Sequence, residues 1–321
     1  MRVTLGFDTS CYTTSAAAVN EMGEVVAASR MLLPVKQGER GLRQSEAVFA
    51  HVRQMPLVMD ELKKQLTGKD VQVVAACASA SPRDEEESYM PVFTVGLGHA
   101  KVIADVLDVP LYETSHQQGH VAAGLIGHQQ PQEAFVALHL SGGTTELLAC
   151  EDGKLTLLGG CADLHAGQVV DRVGVSMGLP FPAGPHLEKL AMSYDGQVES
   201  LLPVSMEKDG LTCHLSGVET RAQQWIREGK MSNEKIAAEV FDVLARTVAR
   251  LLMGAGEKAN AKKALVVGGV ASSMLLRQLL SNRLAKQRKP VQVIFGQPQF
   301  SADNAAGVAA IGMKKYLEQF G

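Results

Sequence analysis

The chain contains one strand–turn–strand pattern twice, and this repeat restricts the folds it can adopt. Each copy has an apolar strand, a polar turn and a return strand, at Val3–Phe7, Asp8–Thr14 and Ser15–Val19 in the first and at Phe135–Leu140, Ser141–Thr145 and Glu146–Cys150 in the second. A third strand follows the first copy around Val25. The copies share a hairpin shape with a small, hydroxyl-rich tip rather than residue identities. The pattern predicts an internal duplication.

Strands alternate with helices through the rest of both halves. The first half has helical segments at Ser45–Leu66 and Gly96–Leu107 and strands at Val71–Ala78 and Val109–Tyr112. The second half has helical segments around Gln168–Met177, Leu187–Tyr194, Asn233–Ala259 and Ser273–Leu284, and strands at Ala264–Val267 and Val291–Phe295. This alternation predicts an α/β fold with two mixed sheets covered by helices.

The segment Gly127–Glu133 is the expected boundary between the two halves. We assign residues 1–130 to an N-terminal lobe and residues 131–304 to a C-terminal lobe. The last helix, within Ala302–Phe320, is expected to rejoin the first lobe, with residues from about 305 to 321. A cleft between two such lobes is the expected place for a ligand.

Composition and charge leave the class of partner open. The 321 residues, 46% hydrophobic and 20% charged, are enough for two packed domains, and the net charge of −3 neither supports nor excludes RNA binding. The cysteines are scattered without a CxxC pair, at Cys11, Cys77, Cys150, Cys161 and Cys213. The chain begins directly with a strand and has no apolar run of membrane-spanning length, so we expect a reduced, cytoplasmic protein without membrane association.

His116 and His120 are four residues apart at the start of a predicted helix that continues through Val121–Gly127. Side chains at that spacing lie on one helix face, so the two rings can converge on one metal ion. Ser115 is a suitable N-cap, and Gly119 suggests that something approaches the backbone closely. The alternative is a capped helix whose histidines merely lie at a polar rim.

Asp303 is the candidate for a third metal ligand. It follows the strand Val291–Phe295 and lies at the start of the last helix, where a carboxylate is also favourable as a cap or first-turn charge without any metal. Two histidines and one aspartate would leave open positions on a transition metal such as iron or zinc. Those positions suit a phosphate or carboxylate oxygen.

Three turns that contain glycine are candidates for binding an anion: Ser141-Gly142-Gly143, Gly184-Pro185 and Gly268-Gly269. Backbone N–H groups after a strand and ahead of a helix can bind phosphate, although a pair of glycines there is often only a tight turn. Three such turns in one duplicated α/β chain favour a nucleotide. Asp171 is a candidate for binding the ribose hydroxyls, with a solvated charge on a helix face as the alternative.

Several motifs along the chain resemble those of the TsaD family and have the same order as in that family. Its members are the tRNA threonylcarbamoyladenosine synthases once described as glycoproteases. His116–His120 is similar to the HxEGH-like motif of that family, and Asp303–Ala306 matches its DNAA motif. Further segments resemble its phosphate loop and its AGEAFDK, PGGPxIEKLA, SGLKT and GGVAANxxLR motifs, at Leu140–Gly143, Ala166–Arg172, Pro182–Ala191, Ser216–Thr220 and Gly268–Arg277. The resemblance covers most of the chain.

The resemblance implies an actin-like ATPase (ASKHA) fold of two duplicated lobes. It implies an iron ion, with zinc as the alternative, bound by His116, His120 and Asp303. It implies that ATP or the acyl-adenylate threonylcarbamoyl-AMP is bound through His139, Leu140, Ser141, Gly142, Gly143, Asp171, Gly184, Gly268, Gly269 and Ser273. The implied activity is threonylcarbamoyl transfer to a tRNA adenosine, and the implied protein partner is a second copy or a related actin-like chain.

The departures from the family pattern affect groups that would move protons or hold the substrate. Tyr12 and Thr13 stand where the family has adjacent acids, and Gln118 stands where its metal motif has a glutamate. Further replacements lie in the other motifs, at Thr144, Gln168, Glu219 and Ser273. The acidic run Asp84–Glu87 replaces a glycine-rich segment and is interpreted as a solvated loop or as a partner or substrate gate.

Two hypotheses about function remain from the sequence. In the first, the chain is an enzyme: either an acyltransferase of this type with altered catalytic acids, or a hydrolase of ATP or the acyl-adenylate. Hydrolysis is considered because an amide or hydroxyl cannot remove a proton from the exocyclic amine of the acceptor. In the second, it is a nucleotide-bound scaffold without catalytic activity that pairs with a related chain.

Overall fold

The computed structural model describes residues 1–10, 12–34, 42–85, 87–129, 131, 133–287, 291–301 and 305–321. Its elements in chain order are β1 (Arg2–Thr9), β2 (Thr13–Asn20), β3 (Val25–Leu32), α1 (Gln44–Leu66), β4 (Gln72–Ser81), α2 (Phe93–Leu107), β5 (Leu111–Ser115), α3 (His116–Leu125), β6 (Phe135–Leu140), β7 (Thr145–Glu151), β8 (Lys154–Cys161), α4 (Ala166–Ser176), α5 (Gly184–Met192), β9 (Ser205–Met206), β10 (Thr212–His214), α6 (Ser216–Glu228), α7 (Asn233–Lys258), β11 (Lys263–Val267), α8 (Met274–Leu284), β12 (Gln292–Phe295) and α9 (Ala306–Phe320). Short 3₁₀ helices lie at Val270–Ser272 and Pro298–Phe300.

The chain divides into two compact units. Unit 1 consists of Met1–Gln129 with Ala302–Gly321, and unit 2 consists of Gln130–Ser301. Each unit is built around its own sheet, and each sheet has its own apolar core. Within the described ranges, no helix is both long enough and apolar enough to cross a membrane.

The sheet of unit 1 has, in its described part, the strand order β3-β2-β1-β4-β5. β1 pairs antiparallel with β2 and parallel with β4, which in turn pairs parallel with β5. Alternate residues of β1 face opposite sides of the sheet. On one side a single apolar cluster joins Val3, Leu5 and Phe7 to Met55, Val58 and Leu62 of α1 and to Ala100 and Ala104 of α2. Gly6, on the other side, lies against α9 at Ala309.

The two helices α3 and α9 approach each other at glycines. A Cβ atom added to Gly307 would lie 1.9 Å from the carbonyl oxygen of Gly119 and 2.6 Å from the backbone nitrogen of Ala123. Neither atom can move without moving its helix, so only glycine fits at position 307. The close approach expected at Gly119 is therefore made by helix α9.

The sheet of unit 2 contains the same arrangement of strands as unit 1. Its order among the described residues is β12-β11-β6-β7-β8-β10-β9, in which β6 pairs antiparallel with β7 and parallel with β11, and β11 pairs parallel with β12. If β9 and β10 are set aside, both units have the order third, second, first, fourth, fifth strand along the chain. This shared order confirms the internal duplication predicted from the two hairpins. β10 pairs parallel with β8 at the added edge of the sheet.

The structure corrects several predicted boundaries. β5 spans Leu111–Ser115 rather than Val109–Tyr112, because Asp108 ends α2 in a left-handed conformation (φ 53°) and Pro110 has no N–H to pair. Helices α2, α4 and α5 begin earlier than predicted, at Phe93, Ala166 and Gly184 rather than at Gly96, Gln168 and Leu187. The predicted start of the last helix, Ala302, lies outside the described residues. Four elements were not predicted: β8, β9, β10 and α6.

Candidate functional site

The two histidines of α3 lie with their rings in contact. Ser115 is the N-cap of the helix, and its hydroxyl accepts a hydrogen bond from the backbone N–H of Gln118. The Nε2 atoms of His116 and His120 are 3.0 Å apart, and the rings meet edge to face with centroids 4.4 Å apart. Two ligand nitrogens that are each about 2.0–2.1 Å from one metal ion are separated by a similar distance. The helix therefore brings the two nitrogens to one point.

Asp8, at the end of β1, is a member of this site that the sequence analysis missed. Its side chain is fully buried, and its Oδ1 lies 2.9 Å from Nδ1 of His116. A carboxylate oxygen accepts hydrogen bonds, so Nδ1 of His116 carries the proton and the Nε2 lone pair faces His120. A carboxylate that orients a histidine in this way is the usual support of a metal ligand. The signal in the sequence was its place as the first polar residue after the central strand.

A second observation concerns the other carboxylate oxygen of Asp8. Oδ2 is buried and has no hydrogen-bond partner among the described residues. An orphaned buried carboxylate oxygen is costly unless a positive charge compensates the carboxylate, and a cation bound at the two Nε2 atoms, on the far side of the His116 ring, would supply such a charge.

The predicted third metal ligand, Asp303, lies outside the described residues. Among the residues that are described, no group of three or more His, Cys, Asp or Glu side chains is arranged to hold a metal ion. Asp8 does not complete such a group, since it binds the Nδ1 side of His116, away from the two Nε2 atoms.

Gln118, which replaces a glutamate of the family motif, is held by two polar contacts. Its amide nitrogen donates to Oδ2 of Asp84 at 2.6 Å, and its amide oxygen accepts from the hydroxyl of Thr114 at 2.8 Å. A glutamate at position 118 would place a second carboxylate against Asp84. The amide is therefore the residue that suits the acidic run Asp84–Glu87, whose first member packs against the helix of the histidine pair.

The two residues that stand at the family's acidic positions differ in accessibility. Tyr12 is 46% exposed, whereas Thr13 is only 4% exposed at the start of β2. Neither side chain is an acid, and Thr13 is buried.

In unit 2, the predicted phosphate-binding turn follows β6. The backbone N–H of Ser141 donates to the carbonyl of Thr144 at 2.8 Å, and the N–H of Gly143 is 3.3 Å from the hydroxyl of Ser141. Gly142 and Gly143 are exposed, and a Cβ on either would meet no described atom within 4 Å. The turn thus leaves open space above its glycines, as an anion would require.

Two other predicted motifs pack directly against this turn. The N–H of Gly167, at the start of α4, donates to the carbonyl of Ser141 at 3.1 Å, and a Cβ at Gly167 would lie 2.6 Å from that oxygen. Gly268, at the end of β11, has φ +102°, and a Cβ there would lie 2.2 Å from the carbonyl of Leu140 and 2.8 Å from the ring of His139. The structure therefore brings together three motifs that are far apart in the sequence.

Two of the other residues predicted to bind the nucleotide, Asp171 and Ser273, make hydrogen bonds within unit 2. Oδ1 of Asp171 accepts the N–H of Ala183 at 2.8 Å and so holds the start of α5, which begins at Gly184. Ser273 is the N-cap of α8, and its hydroxyl accepts the N–H of Leu276 at 3.1 Å. Gly269 has open space around it, with no described atom within 4 Å of an added Cβ.

A family model and a sequence relative both match this chain over most of its length. A family model described as "TsaD: tRNA N6-adenosine threonylcarbamoyltransferase" matches residues 38–310. The chain is similar to the tRNA N6-adenosine threonylcarbamoyltransferase of Bacillus cereus, with 30% identity over 330 residues that cover 98% of this chain and 91% of that protein.

Solved structures with low sequence identity share the fold. HypF of T. kodakarensis gives a TM-score of 0.62 at 14% identity, over 99% of this chain and 48% of that chain. A ROK family glucokinase from Streptomyces griseus, in complex with glucose and AMPPNP, gives a TM-score of 0.56 at 14% identity, over 97% of this chain and 99% of that chain. The fold is thus the actin-like ATPase fold of two duplicated lobes expected from the sequence.

Proposed function

Because this chain belongs to the TsaD family of tRNA N6-adenosine threonylcarbamoyltransferases, we propose that it binds threonylcarbamoyl-AMP or ATP and activates the acyl group with the help of a transition metal. The observation that carries the proposal is the Asp8–His116–His120 cluster, in which a buried carboxylate orients one of two converging imidazoles. Such an arrangement is the usual support of a metal-ligating histidine.

The nucleotide is assigned to unit 2. Its phosphates would lie on the open turn Ser141–Gly143, next to Gly268–Gly269, and its ribose hydroxyls would be bound by the second oxygen of Asp171. Support comes from the packing of Gly167 and Gly268 against the turn. The glucokinase with the same fold binds AMPPNP, an ATP analogue.

The metal is assigned to His116, His120 and Asp303, with iron first and zinc second. When bound, it would act as a Lewis acid toward a phosphate or carbamoyl oxygen. The role of Asp8 is to keep the proton of His116 on Nδ1. If His116 carries its proton on Nδ1, the 3.0 Å contact between the two Nε2 atoms has Nε2–H of His120 as its donor, so metal binding would require the tautomer of His120 that is protonated on Nδ1.

Transfer to RNA requires a group that receives a proton. As the N6 amine of adenosine attacks the carbamoyl carbon, the N–C bond forms, the C–O bond to AMP breaks and the amine must lose a proton. Tyr12 and the buried Thr13 are poor substitutes for the family acids. Glu219, in place of a lysine, would also repel an RNA phosphate.

These replacements favour hydrolysis of threonylcarbamoyl-AMP as a second candidate activity. Water is small and needs no docking surface for tRNA, so its attack on the acyl-adenylate depends less on the missing acids. The observation that supports this candidate is the exposed Tyr12, which stands at a position where the family has an acid.

The test measures both products from one reaction. Purified protein is incubated with threonylcarbamoyl-AMP and unmodified tRNA, and AMP is measured by chromatography while threonylcarbamoyladenosine is measured by mass spectrometry of digested tRNA. We expect AMP release that exceeds nucleoside formation. Tyr12→Asp, which adds an acid at an exposed position, should raise transfer by at least about tenfold, because a positioned base contributes 10²-fold or more.

Tyr12→Phe is the matched control, since it removes the hydroxyl without adding an acid, and it should leave transfer unchanged. Efficient transfer by the wild type, with AMP and modified nucleoside formed in equal amounts, would show that the acids are dispensable. Release of no AMP in the presence or absence of tRNA would reject an enzymatic role and favour a nucleotide-bound scaffold.

A further inference from the structure

Cys161 and Cys213 face each other on neighbouring strands of unit 2. β8 and β10 run parallel, with Thr212 opposite Gly160 and Cys213 opposite Cys161. Neighbouring strands are about 4.7–4.9 Å apart, which lies within the Cα–Cα distances that disulfides span. Both thiols are free in the structure, the first partly exposed and the second fully buried.

The thiol of Cys161 donates to two neighbouring oxygens. Its sulfur lies 3.0 Å from the carbonyl of Leu164 and 3.3 Å from Oδ1 of Asp163. The thiol of Cys213 donates a hydrogen bond to it, which lowers the pKa of Cys161 to about 7 and raises that of Cys213. Cys161 is therefore the thiol of the pair that ionises more readily near neutral pH, while Cys213 keeps its proton.

Other charged groups lie close to the pair. Asp163 accepts hydrogen bonds from the backbone N–H of Leu215 and from Ser216, at the start of α6. His214 follows Cys213, and its Nε2 lies 2.8 Å from a carboxylate oxygen of Glu207, which raises the pKa of the imidazole.

The other described cysteines, Cys77 and Cys150, are less acidic than an ordinary thiol. Burial raises the pKa of Cys77 and of Cys150 to about 12, and both are buried thiols in strands. They are expected to be inert toward oxidants at neutral pH. Cys11 lies outside the described residues.

We propose that Cys161 and Cys213 form a reversible disulfide when the protein meets hydrogen peroxide. The thiolate of Cys161 attacks one peroxide oxygen, the O–O bond breaks, and a sulfenic acid and hydroxide result. The sulfur of Cys213 then attacks the sulfenic sulfur, so that the S–S bond forms, the S–O bond breaks and water leaves with the proton of Cys213. Two electrons pass from the sulfurs to the peroxide, and a dithiol reductant reverses the reaction.

Disulfide formation would act on the segment that leads into α4. In the reduced state the Cys161 thiol contacts Leu164 and Asp163, which connect β8 to α4 and to the start of α6. A disulfide to Cys213 removes the thiol proton and ends these hydrogen bonds. The segment Ala162–His165 is therefore the part of unit 2 where the oxidised and reduced proteins should differ.

The test is peptide mapping of the full chain in a Cys11→Ser background. The protein is treated with a small excess of hydrogen peroxide at neutral pH, free thiols are blocked with iodoacetamide, and the chain is digested with trypsin. Cleavage after Lys154, Arg172, Lys208 and Arg221 places the two cysteines in separate peptides. We expect the peptides Leu155–Arg172 and Asp209–Arg221 to be joined, and to separate after dithiothreitol.

Two variants, and the pH dependence of Cys161 alkylation in each, complete the test. Cys213→Ala should abolish the joined peptide. It should also move the pH midpoint of Cys161 alkylation above pH 7, because the thiol that donates to Cys161 is lost. Cys150→Ala is the control and should change neither the joined peptide nor the midpoint. The mapping of the Cys11→Ser protein itself does not depend on whether either further variant folds. Recovery of Cys161 and Cys213 as separate alkylated peptides after peroxide, or of Cys161 only as sulfinic or sulfonic acid, would overturn the proposal.

Discussion

Asp8 shows how one buried residue can set the chemistry of its neighbour. The hydrogen bond from Nδ1 of His116 to Asp8 assigns the tautomer of the ring, and with it the direction of the Nε2 lone pair. The carboxylate comes from a strand 108 residues earlier in the chain. At this scale, the geometry of the histidine pair depends on the acid behind it as much as on the spacing of the two histidines.

We predict that Asp8→Asn weakens metal binding by about ten- to a hundredfold, the usual effect of losing a carboxylate behind a ligating histidine. The amide can still accept a hydrogen bond, so the fold is retained while the negative charge is lost. The affinity for zinc is measured by competition with a chromogenic chelator, and circular dichroism checks the fold.

Asp84→Asn is the matched control for this prediction. Asp84 also contacts helix α3, through Gln118, but it does not touch either histidine ring by any described hydrogen bond. Its replacement should leave zinc affinity unchanged. Equal losses in both variants, or none in Asp8→Asn, would remove Asp8 from its positioning role.

At the scale of elements, the contact between α3 and α9 decides where the histidine helix lies. The two helices touch backbone to backbone at Gly119 and Gly307, and α9 also packs on β1 at Gly6. The apolar side chains between α3 and α9 can be buried only if the two helices approach to this backbone contact. The glycines therefore fix the distance of α3 from the sheet of unit 1.

We predict that Gly307→Ala destabilises unit 1 by about 1–3 kcal/mol, because the added methyl group would overlap the backbone of α3 and force the helices apart. Amide hydrogen exchange in α3 and α9 measures the loss. Gly98→Ala, in an exposed turn of α2 where an added Cβ meets no described atom within 4 Å, should instead stabilise by about 0.5–1 kcal/mol. Unchanged exchange in Gly307→Ala would contradict the packing argument.

At the scale of the whole molecule, the duplicated units differ in the residues at their matching hairpins. Both contain the same order of five strands in their described parts. The end of the first strand of unit 1 supplies Asp8 to the histidine pair, whereas the first strand of unit 2 is followed by a glycine turn with open space above it. Each copy has kept the hairpin and changed the residues at its tip.

This difference between the units predicts that ATP stabilises unit 2 against unfolding more than it stabilises unit 1. At about 100 times its dissociation constant, ATP should stabilise the protein by about 2.7 kcal/mol. The single tryptophan, Trp225 in α6, reports unfolding of unit 2 by fluorescence. Hydrogen exchange should slow at residues 139–145, 166–170 and 268–273.

Asp171→Asn tests the same site with the fold preserved, because the amide oxygen can still accept the N–H of Ala183. Loss of the charge should raise the ATP dissociation constant about tenfold, or 1.4 kcal/mol. Asp209→Asn, an acid that accepts only a local N–H in a turn, is the control and should bind normally. Protection confined to unit 1 would place the nucleotide elsewhere.

Much of the fold was predictable because its signals are local. The apolar runs of β1 and β6 with their hydroxyl-rich turns indicated the duplication, and the long apolar periodicity of Asn233–Ala259 indicated α7, which spans Asn233–Lys258. The spacing of His116 and His120 predicted that their rings would lie together. Periodicity and capping act within a few residues, so a sequence displays them directly.

The starts of helices and the partners of polar groups were decided by tertiary structure. The N–H of Ala166, the first residue of α4, donates to the hydroxyl of Thr145 at the start of β7, and no local pattern marks that bond. The contacts of Asp8 with His116, of Gln118 with Asp84 and of Cys161 with Cys213 join distant segments. The sequence determined which elements form and which residue types lie at their ends. Only the folded chain determined which atoms meet, because a buried polar group takes its partner from whichever segment the packing of the core brings beside it.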